Sequence, residues 1–295
     1  MSQIDLKGSL VALVTPMKPT GEVDDGALDA LIDWHLESGT HGVVPVGTTG
    51  ESATLNVREH LHVIEHTLRR VDGRVPVVAG TGANATAEAI DLTRDAKVVG
   101  ADACLLVTPY YNKPTQEGLY QHYCAVAESV DIPMVLYNVP PRTACDMSAE
   151  TVARLAPVPQ IVGIKEACGD ADRVREIRAL VPDDFIILSG EDAQTLTMFG
   201  FGAAGTISVT ANVLPELMSK FCESYLNGDV ATAEELDEQL QPIHEILFCE
   251  TSPIPTKWAL NQLGRIPEGI RLPLVSLSEP HHAEMCKRLR AVGAL

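Results

Sequence analysis

Eight short apolar runs rich in β-branched residues recur along the first two-thirds of this 295-residue chain. Stretches with the apolar spacing of an α-helix separate them, so each unit predicts a strand followed by a helix. Such units require parallel strands joined by right-handed crossovers, with both faces of the sheet buried. The runs are Leu10–Val14, Gly42–Val46, Val75–Ala79, Ala103–Val107, Pro133–Tyr137, Ile161–Lys165, Phe185–Leu188 and Gly205–Val209.

Eight such units predict an α/β fold of the (β/α)8 TIM-barrel type. A doubly wound open sheet is the alternative, but no G-x-G-x-x-G sequence follows the first run, where dinucleotide-binding sheets carry it. We assign the barrel to residues 1–227 and a C-terminal helical extension to residues 228–295. No low-complexity linker separates the two parts, so a single domain over residues 1–295 is expected. The extension is predicted to hold helices over Ala231–Leu247, Ile254–Leu263 and Pro280–Val292.

The second predicted helix has the clearest start signal. Asn56, followed three residues later by Glu59, is close to a capping box. The apolar face is predicted to consist of Val57, Leu61, Ile64 and Leu68. His62 and His66 lie one turn apart, a spacing that could hold a metal, but the pattern places them on the solvent side. Solvated side chains are therefore the favoured interpretation, and no metal is predicted.

The charge balance excludes two classes of protein. The chain has 22 Lys and Arg against 40 Asp and Glu, a formal net charge of −18. An acidic surface repels phosphate backbones and anionic lipids, which argues against a nucleic-acid partner or a membrane. No long apolar run and no signal-peptide pattern occurs, so a cytoplasmic protein is expected. Seven widely spaced cysteines without a C-x-x-C pair favour neither a disulfide framework nor a zinc site.

Lys165 is the lysine that ends one of the strand-like runs. Strand alternation places Ile161, Gly163 and Lys165 on one face. If Val162 and Ile164 face the helices, Lys165 points into the barrel. A buried ammonium group either pairs with an acid or gives up its proton, and a neutral amine is a nucleophile for carbonyl carbons. A structural ion pair with Glu166 or another acid and a Schiff-base lysine both stay open on these grounds.

Other strand-end residues complete a possible site, since barrel enzymes hold their active sites at the carboxyl ends of the strands. Tyr137 ends the preceding run on the inward face, where it could act as general acid and base or simply pack in the barrel. Thr48 and Thr49, flanked by glycines, offer hydroxyls and free amides to a carboxylate. Arg142 could hold a second carboxylate or be merely solvated.

Five motifs occur in order at these strand ends. They are G-T-T-G-E at 47–51, T-P-Y-Y-N-K-P at 108–114, Y-N-V-P-x-R-T at 137–143, G-I-K-E-A at 163–167 and S-V-T-A-N at 208–212. From about Lys7 to the C-terminus, the chain closely resembles the dihydrodipicolinate synthase family. The resemblance implies a class I aldolase-type lyase that condenses pyruvate with L-aspartate 4-semialdehyde in diaminopimelate and lysine biosynthesis, without a metal or organic cofactor.

The resemblance also implies catalytic roles by motif position. Lys165 would form the Schiff base with pyruvate, and a proton relay would consist of Tyr137, Thr48 and Tyr111. In this family the tyrosine that matches Tyr111 comes from a neighbouring subunit. A homotetramer built from two tight dimers is therefore implied.

Substrate-binding positions follow in the same way. Thr49 would bind the pyruvate carboxylate and Arg142 the carboxylate of the semialdehyde, while backbone at Gly190 and Ile207 would line the pocket. Arg142 separates this family from the sister aldolases, N-acetylneuraminate lyase and the keto-deoxy sugar acid aldolases, whose aldehydes present hydroxyls instead. A non-catalytic module that binds lysine or a keto acid is a third hypothesis, and the retained relay residues argue against it.

A second site, for L-lysine as an allosteric feedback inhibitor, is implied at the dimer interface. The matching positions are Ser52, Ala53, Leu55, His60, Asn84, Glu88 and Tyr110. Val57 stands where a lysine-sensitive relative typically has histidine, which argues against strong inhibition. Ser252, where the family commonly has Asn before Pro-Ile-Pro, and Cys168, commonly Thr or Ser, are further departures.

Overall fold

The computed structural model describes residues 4–295 and contains eight parallel strands. They are β1 (Gly8–Ala12), β2 (Gly42–Val44), β3 (Val78–Gly80), β4 (Ala103–Val107), β5 (Met134–Asn138), β6 (Ile161–Glu166), β7 (Ile186–Ser189) and β8 (Gly205–Ser208). The hydrogen-bonded order is β2-β1-β8-β7-β6-β5-β4-β3, and a parallel bridge between Val43 and Val77 joins the two end strands. The sheet therefore closes into a ring, which confirms the predicted barrel over the open sheet.

Nine helices follow the strands among residues 4–295. They are α1 (Asp25–Glu37), α2 (Val57–Val71), α3 (Thr86–Val99), α4 (Gln116–Ser129), α5 (Pro140–Thr143), α6 (Ala149–Leu155), α7 (Asp172–Arg178), α8 (Thr195–Gly200) and α9 (Pro215–Leu226). The extension adds α10 (Val230–Ile246), α11 (Ile254–Gln262) and α12 (His282–Ala291), close to the predicted bounds. No helix in the described part of the chain is long and apolar enough to span a bilayer. That all 295 residues form one domain stays a prediction.

Apolar side chains are buried on both faces of the sheet, as predicted. An inner cluster fills the barrel, and an outer cluster lies between the sheet and the helices. Along β1, Leu10 and Ala12 belong to the inner cluster while Val11 belongs to the outer one. This alternation is what directs every second strand residue toward the barrel axis.

Strand β6 departs from simple alternation. Two adjacent residues of β5 pair with Ile161 and Gly163, so Val162 is the extra residue of a β-bulge. As a result, Ile161 packs in the outer cluster and Val162 packs against the inner one. The prediction that Ile161 faces inward and Val162 faces the helices is therefore wrong. Beyond the bulge the alternation resumes, and Lys165 points into the barrel as predicted.

Helix α2 begins as predicted, but its buried face matches the predicted one only in part. The Asn56 side chain accepts from the Glu59 N–H at 3.0 Å, and the Glu59 carboxylate accepts from the Asn56 N–H at 3.1 Å, which completes the capping box. Val57 is 57 % exposed. The buried residues are His60, Val63, Ile64, Thr67 and Val71, so Ile64 is buried as predicted, and Leu68 packs against the outer cluster. The prediction is wrong for Val57, because the first turn of α2 lies at the rim of a cavity rather than over the sheet.

Candidate active site

The carboxyl ends of β5 and β6 bring the two central residues together. Tyr137 and Lys165 are cross-strand partners, and the Lys165 Nζ atom lies 4.4 Å from the centre of the Tyr137 ring. Lys165 is only 5 % exposed. In the described part of the chain, the buried lysine that forms an ion pair is Lys257, and its partner is Glu51. Among residues 4–295, Lys165 has no such acid partner, which favours the nucleophilic amine over the structural ion pair.

A cavity of about 60 Å³ lies above this amine. Seven of the predicted site residues line it: Thr48, Thr49, Tyr137, Arg142, Lys165, Gly190 and Ile207. The rest of the wall is mostly apolar and includes residues of the inner cluster. This is a small chamber with a mostly apolar wall, and charges and hydrogen bonds in such surroundings are stronger than in bulk water.

Two glycines create the room that this chamber needs. A Cβ at Gly190 would lie 2.8 Å from Cε of Lys165, so a larger residue would push the lysine side chain away. A Cβ at Gly50 would lie 2.8 Å from the Val46 backbone nitrogen. The loop that holds Thr48 and Thr49 can therefore fold tightly against the strand end only with glycine at its far side.

Arg142 lies at the mouth of the chamber. It is an exposed residue of α5, and its Nη2 atom donates to the Ser252 carbonyl oxygen at 3.4 Å. The extension thus contributes to the wall through Ser252 and Phe248. Glu191 also lines the chamber; burial raises the pKa of its carboxyl, while Lys165 and Arg142 act in the opposite direction. Sequence patterns gave no role to Phe248 or Glu191, because their positions depend on packing between distant segments.

Tyr111 does not reach the chamber of its own chain. It is 89 % exposed and its backbone φ is 75°, a region that non-glycine residues rarely adopt. An aromatic side chain held out from the surface in a strained backbone conformation is typical of a functional loop. Within a single chain, the relay of Tyr137, Thr48 and Tyr111 is therefore incomplete.

A buried carboxyl, that of Glu166, lies behind Tyr137 and Lys165 and forms no ion pair with Lys165. Glu166 faces away from Lys165, and Asn138 Nδ2 donates to its two oxygens at 3.0 and 3.2 Å. The same Nδ2 atom donates to Asp146 at 2.9 Å. Burial raises the pKa of the Glu166 carboxyl to about 7. Because Asn138 and Glu166 are also cross-strand partners, this contact ties together the two strand ends that carry Tyr137 and Lys165.

A second cavity, of about 300 Å³, gathers most of the predicted lysine-site residues. Six of the seven line it: Ser52, Ala53, Leu55, His60, Glu88 and Tyr110. Asn84 instead supports the rim, since its Nδ2 atom donates to the Tyr110 carbonyl oxygen at 3.2 Å. Burial lowers the pKa of His60, which favours the neutral imidazole. Thr48 and Arg142 line both cavities, so the two cavities share a wall.

A buried lysine without an acid partner, next to a tyrosine at the carboxyl end of a closed (β/α)8 barrel, defines the class I aldolase-type lyases, which work through a Schiff base. Residues 5–292 match the profile of the Dihydrodipicolinate synthetase family, and the chain belongs to that family.

Individual relatives agree over nearly the full length. The 4-hydroxy-tetrahydrodipicolinate synthase of Pseudomonas savastanoi pv. phaseolicola is 56% identical over 290 residues, which is 98% of this chain and 99% of that protein. A crystal structure of the chloride inhibited dihydrodipicolinate synthase from Acinetobacter baumannii, complexed with pyruvate, has a TM-score of 0.97 and 49% identity over 99% of this chain and 100% of that one. The Cyanidioschyzon merolae enzyme with lysine bound has a TM-score of 0.94 and 38% identity, covering 98% and 99%. These similarities confirm the predicted family.

Proposed function

We propose that this chain condenses pyruvate with L-aspartate 4-semialdehyde to form 4-hydroxy-tetrahydrodipicolinate, the first committed step of diaminopimelate and lysine biosynthesis. The observation that carries the proposal is the buried amine of Lys165, which has no acid partner in the described chain and opens into the small chamber beside Tyr137. The names of the relatives and the pyruvate held by the Acinetobacter structure support this choice of substrates.

The chemistry follows from the positions of the two central side chains. The Lys165 Nζ atom attacks the keto carbon of pyruvate, and the resulting carbinolamine loses water to form an imine. Tyr137 supplies a proton to the departing oxygen and takes one back during these steps. Loss of a proton from the pyruvate methyl group then gives an enamine. Its carbon attacks the aldehyde carbon of the second substrate and forms the new carbon–carbon bond.

Ring closure releases the enzyme. The amino group of the condensed semialdehyde attacks the imine carbon and displaces the Lys165 amine, which regains its starting state. In this scheme Thr49 holds the pyruvate carboxylate, and backbone at Gly190 and Ile207 leaves space for the methyl group and the incoming aldehyde. The methyl proton that is lost is matched by the proton that the aldehyde oxygen gains, and one water leaves in imine formation, so the balance needs no oxidant, reductant or organic cofactor.

The acceptor specificity provides the test of this function, and Arg142 is the residue to change. Wild-type protein should consume pyruvate with L-aspartate 4-semialdehyde and not with glyceraldehyde, whose hydroxyls suit the sister aldolases. Arg142→Ala should raise KM for the semialdehyde by about 10- to 100-fold, the worth of one hydrogen-bonded charge pair, and change KM for pyruvate by less than about threefold. Steady-state kinetics with each substrate varied in turn measures both.

A matched control is Arg58→Ala, since Arg58 is an exposed arginine on α2 away from the chamber. It should leave both KM values unchanged. Equal losses for the two substrates in Arg142→Ala would contradict the role in semialdehyde binding. Faster turnover with glyceraldehyde than with the semialdehyde in the wild type would favour a sister aldolase instead.

The quaternary structure is part of the proposal. A homotetramer of two tight dimers would place Tyr111 of one subunit at the chamber of its neighbour and complete the relay with Tyr137 and Thr48. The exposed, strained conformation of Tyr111 supports this arrangement.

The second cavity is the proposed binding site for L-lysine, and the Glu88 carboxylate in its wall would pair with an ammonium group of the ligand. Because Val57 offers no hydrogen bond at the rim, we expect half-maximal inhibition only at millimolar L-lysine. Val57→His should lower that concentration by about tenfold, the effect of one added hydrogen bond to a charged ligand. Initial rates over a titration with L-lysine, with L-norleucine as the uncharged-tail control, measure the change. No inhibition of either protein at tens of millimolar would remove the proposed site.

A further inference from the structure

Helices α1 and α2 face each other through a ladder of three paired side chains. Acids one helical turn apart on α1 meet bases one turn apart on α2, and the members of every pair are 37 residues apart. The pairs are Asp25 with His62, Asp29 with His66, and Asp33 with Arg70. The repeat arises because residues four apart lie on the same face of a helix.

The two histidine pairs lie close together. His62 Nε2 lies 2.9 Å from an Asp25 oxygen, and His66 Nε2 lies 2.8 Å from an Asp29 oxygen. The His66 side chain is only 14 % exposed, so the prediction that it lies on the solvent side is wrong. The pattern along α2 could not reveal this, because the covering residues belong to α1.

These side chains offer a set of donors that converge. One donor atom each from Asp25, His62 and His66 lies within 4.8 Å of the other two. Asp29 adds a carboxylate beside His66. Zn²⁺ takes four such nitrogen and oxygen ligands at about 2.0–2.2 Å, so side-chain rotations would have to draw these donors closer together around the ion. Imidazole with carboxylate is a donor set that favours zinc and its neighbours over magnesium or calcium.

We propose that Asp25, His62 and His66, with Asp29 as the fourth ligand, bind a divalent transition-metal cation that clamps α1 to α2. The cation would replace the protons that the imidazoles share with the two carboxylates. This site is separate from the chamber around Lys165, so the inference is independent of the proposed function. The clamped helix also carries His60 at the second cavity, which gives the site a mechanical connection to that cavity.

Two arginines oppose the cation and sharpen the test. Arg70 Nε lies 3.9 Å from an Asp29 oxygen, so its charge makes Asp29 the weakest of the ligands. Arg69 Nη2 lies 3.5 Å from His66 Nδ1. When Nε2 of a histidine binds a metal, Nδ1 keeps its proton, so the Arg69 N–H group would face a second donor there. Arg69→Gln should therefore strengthen metal binding, whereas a plain ion-pair ladder would be unaffected by metal in any variant.

The experiment is a calorimetric titration of tag-free, EDTA-treated protein with ZnCl₂ at pH 7.5. One ion per chain with a micromolar or lower Kd is expected, with a rise in Tm of about 5 °C at 100 times the Kd. His62→Gln and His66→Gln should each weaken binding at least tenfold. His281→Gln, which changes a histidine beside the single acid Glu250, should leave it unchanged. Co²⁺ should give the visible absorption of a tetrahedral site.

Two results would overturn the inference. One is the lack of stoichiometric binding up to millimolar Zn²⁺. The other is binding that survives both histidine substitutions, since the ion would then be held elsewhere. The Tm of each metal-free variant shows that the fold is retained, so a loss of binding is not confused with unfolding.

Discussion

Replacing Lys165 by alanine is expected to lower kcat by about 10⁴-fold or more and to abolish the pyruvyl adduct that borohydride traps on the wild-type protein. The reason is that Lys165 is the lysine among the described residues that lines the chamber, so no other amine can reach the bound keto acid. Its amine forms no ion pair in the described chain, so the substitution breaks none, and the Glu191 carboxyl that feels the Lys165 charge is only partly buried. The variant should therefore keep its fold and melt within a few degrees of the wild type.

The adduct is measured by intact mass after borohydride reduction with pyruvate, and then located by peptide mapping. Lys220→Ala is the matched control, because Lys220 is an exposed lysine that pairs with Glu216 on α9. Its adduct should be unchanged. An adduct on Lys165→Ala would assign the chemistry to another lysine. A folded wild-type protein without any adduct would favour the non-catalytic binding module.

Tyr137→Phe should lower kcat by about 10²- to 10⁴-fold while leaving the chain fully folded. The ring packs in the inner cluster beside Lys165, and phenylalanine keeps that packing. Only the hydroxyl is lost, and with it the proton transfers of imine formation and breakdown. The adduct should therefore still form on Lys165, but more slowly than in the wild type.

A time course of borohydride trapping separates this role from barrel packing. Tyr123→Phe is the control: Tyr123 is fully buried and its hydroxyl donates to the Leu106 carbonyl oxygen at 3.2 Å, outside the chamber. That change should cost about 1 kcal/mol of stability and leave kcat unchanged. Turnover of Tyr137→Phe within threefold of the wild type would mean that Tyr137 is a packing residue only.

Much of the fold could be predicted because its strands and helices carry local signals. Eight apolar runs became eight strands, with ends shifted by a few residues. The capping box at Asn56 formed as predicted, since both of its partners lie within one turn. The bulge at Val162 could not be predicted, because a β-bulge is defined by the register against the neighbouring strand and not by the strand's own sequence.

The candidate site divides in the same way. The motifs at the strand ends predicted one site for Lys165, Tyr137, Thr48 and Arg142. All four line one chamber, because parallel strands end at the same side of the barrel. The contact between Glu166 and Asn138 could not be predicted, since the two residues are 28 positions apart and only strand register makes them neighbours.

By itself, the sequence determined the barrel, the family and the strand ends that carry the predicted site residues. The reason is that each apolar run and each motif can be recognised within a few consecutive residues. Only the tertiary structure decided that Lys165 has no acid partner in the described chain, that the extension walls the chamber at Ser252, and that two cavities meet at Arg142. Likewise, His62 and His66 of α2 contact their carboxylates only because α1 packs against α2. Each of these depends on contacts between distant segments, which no local pattern encodes.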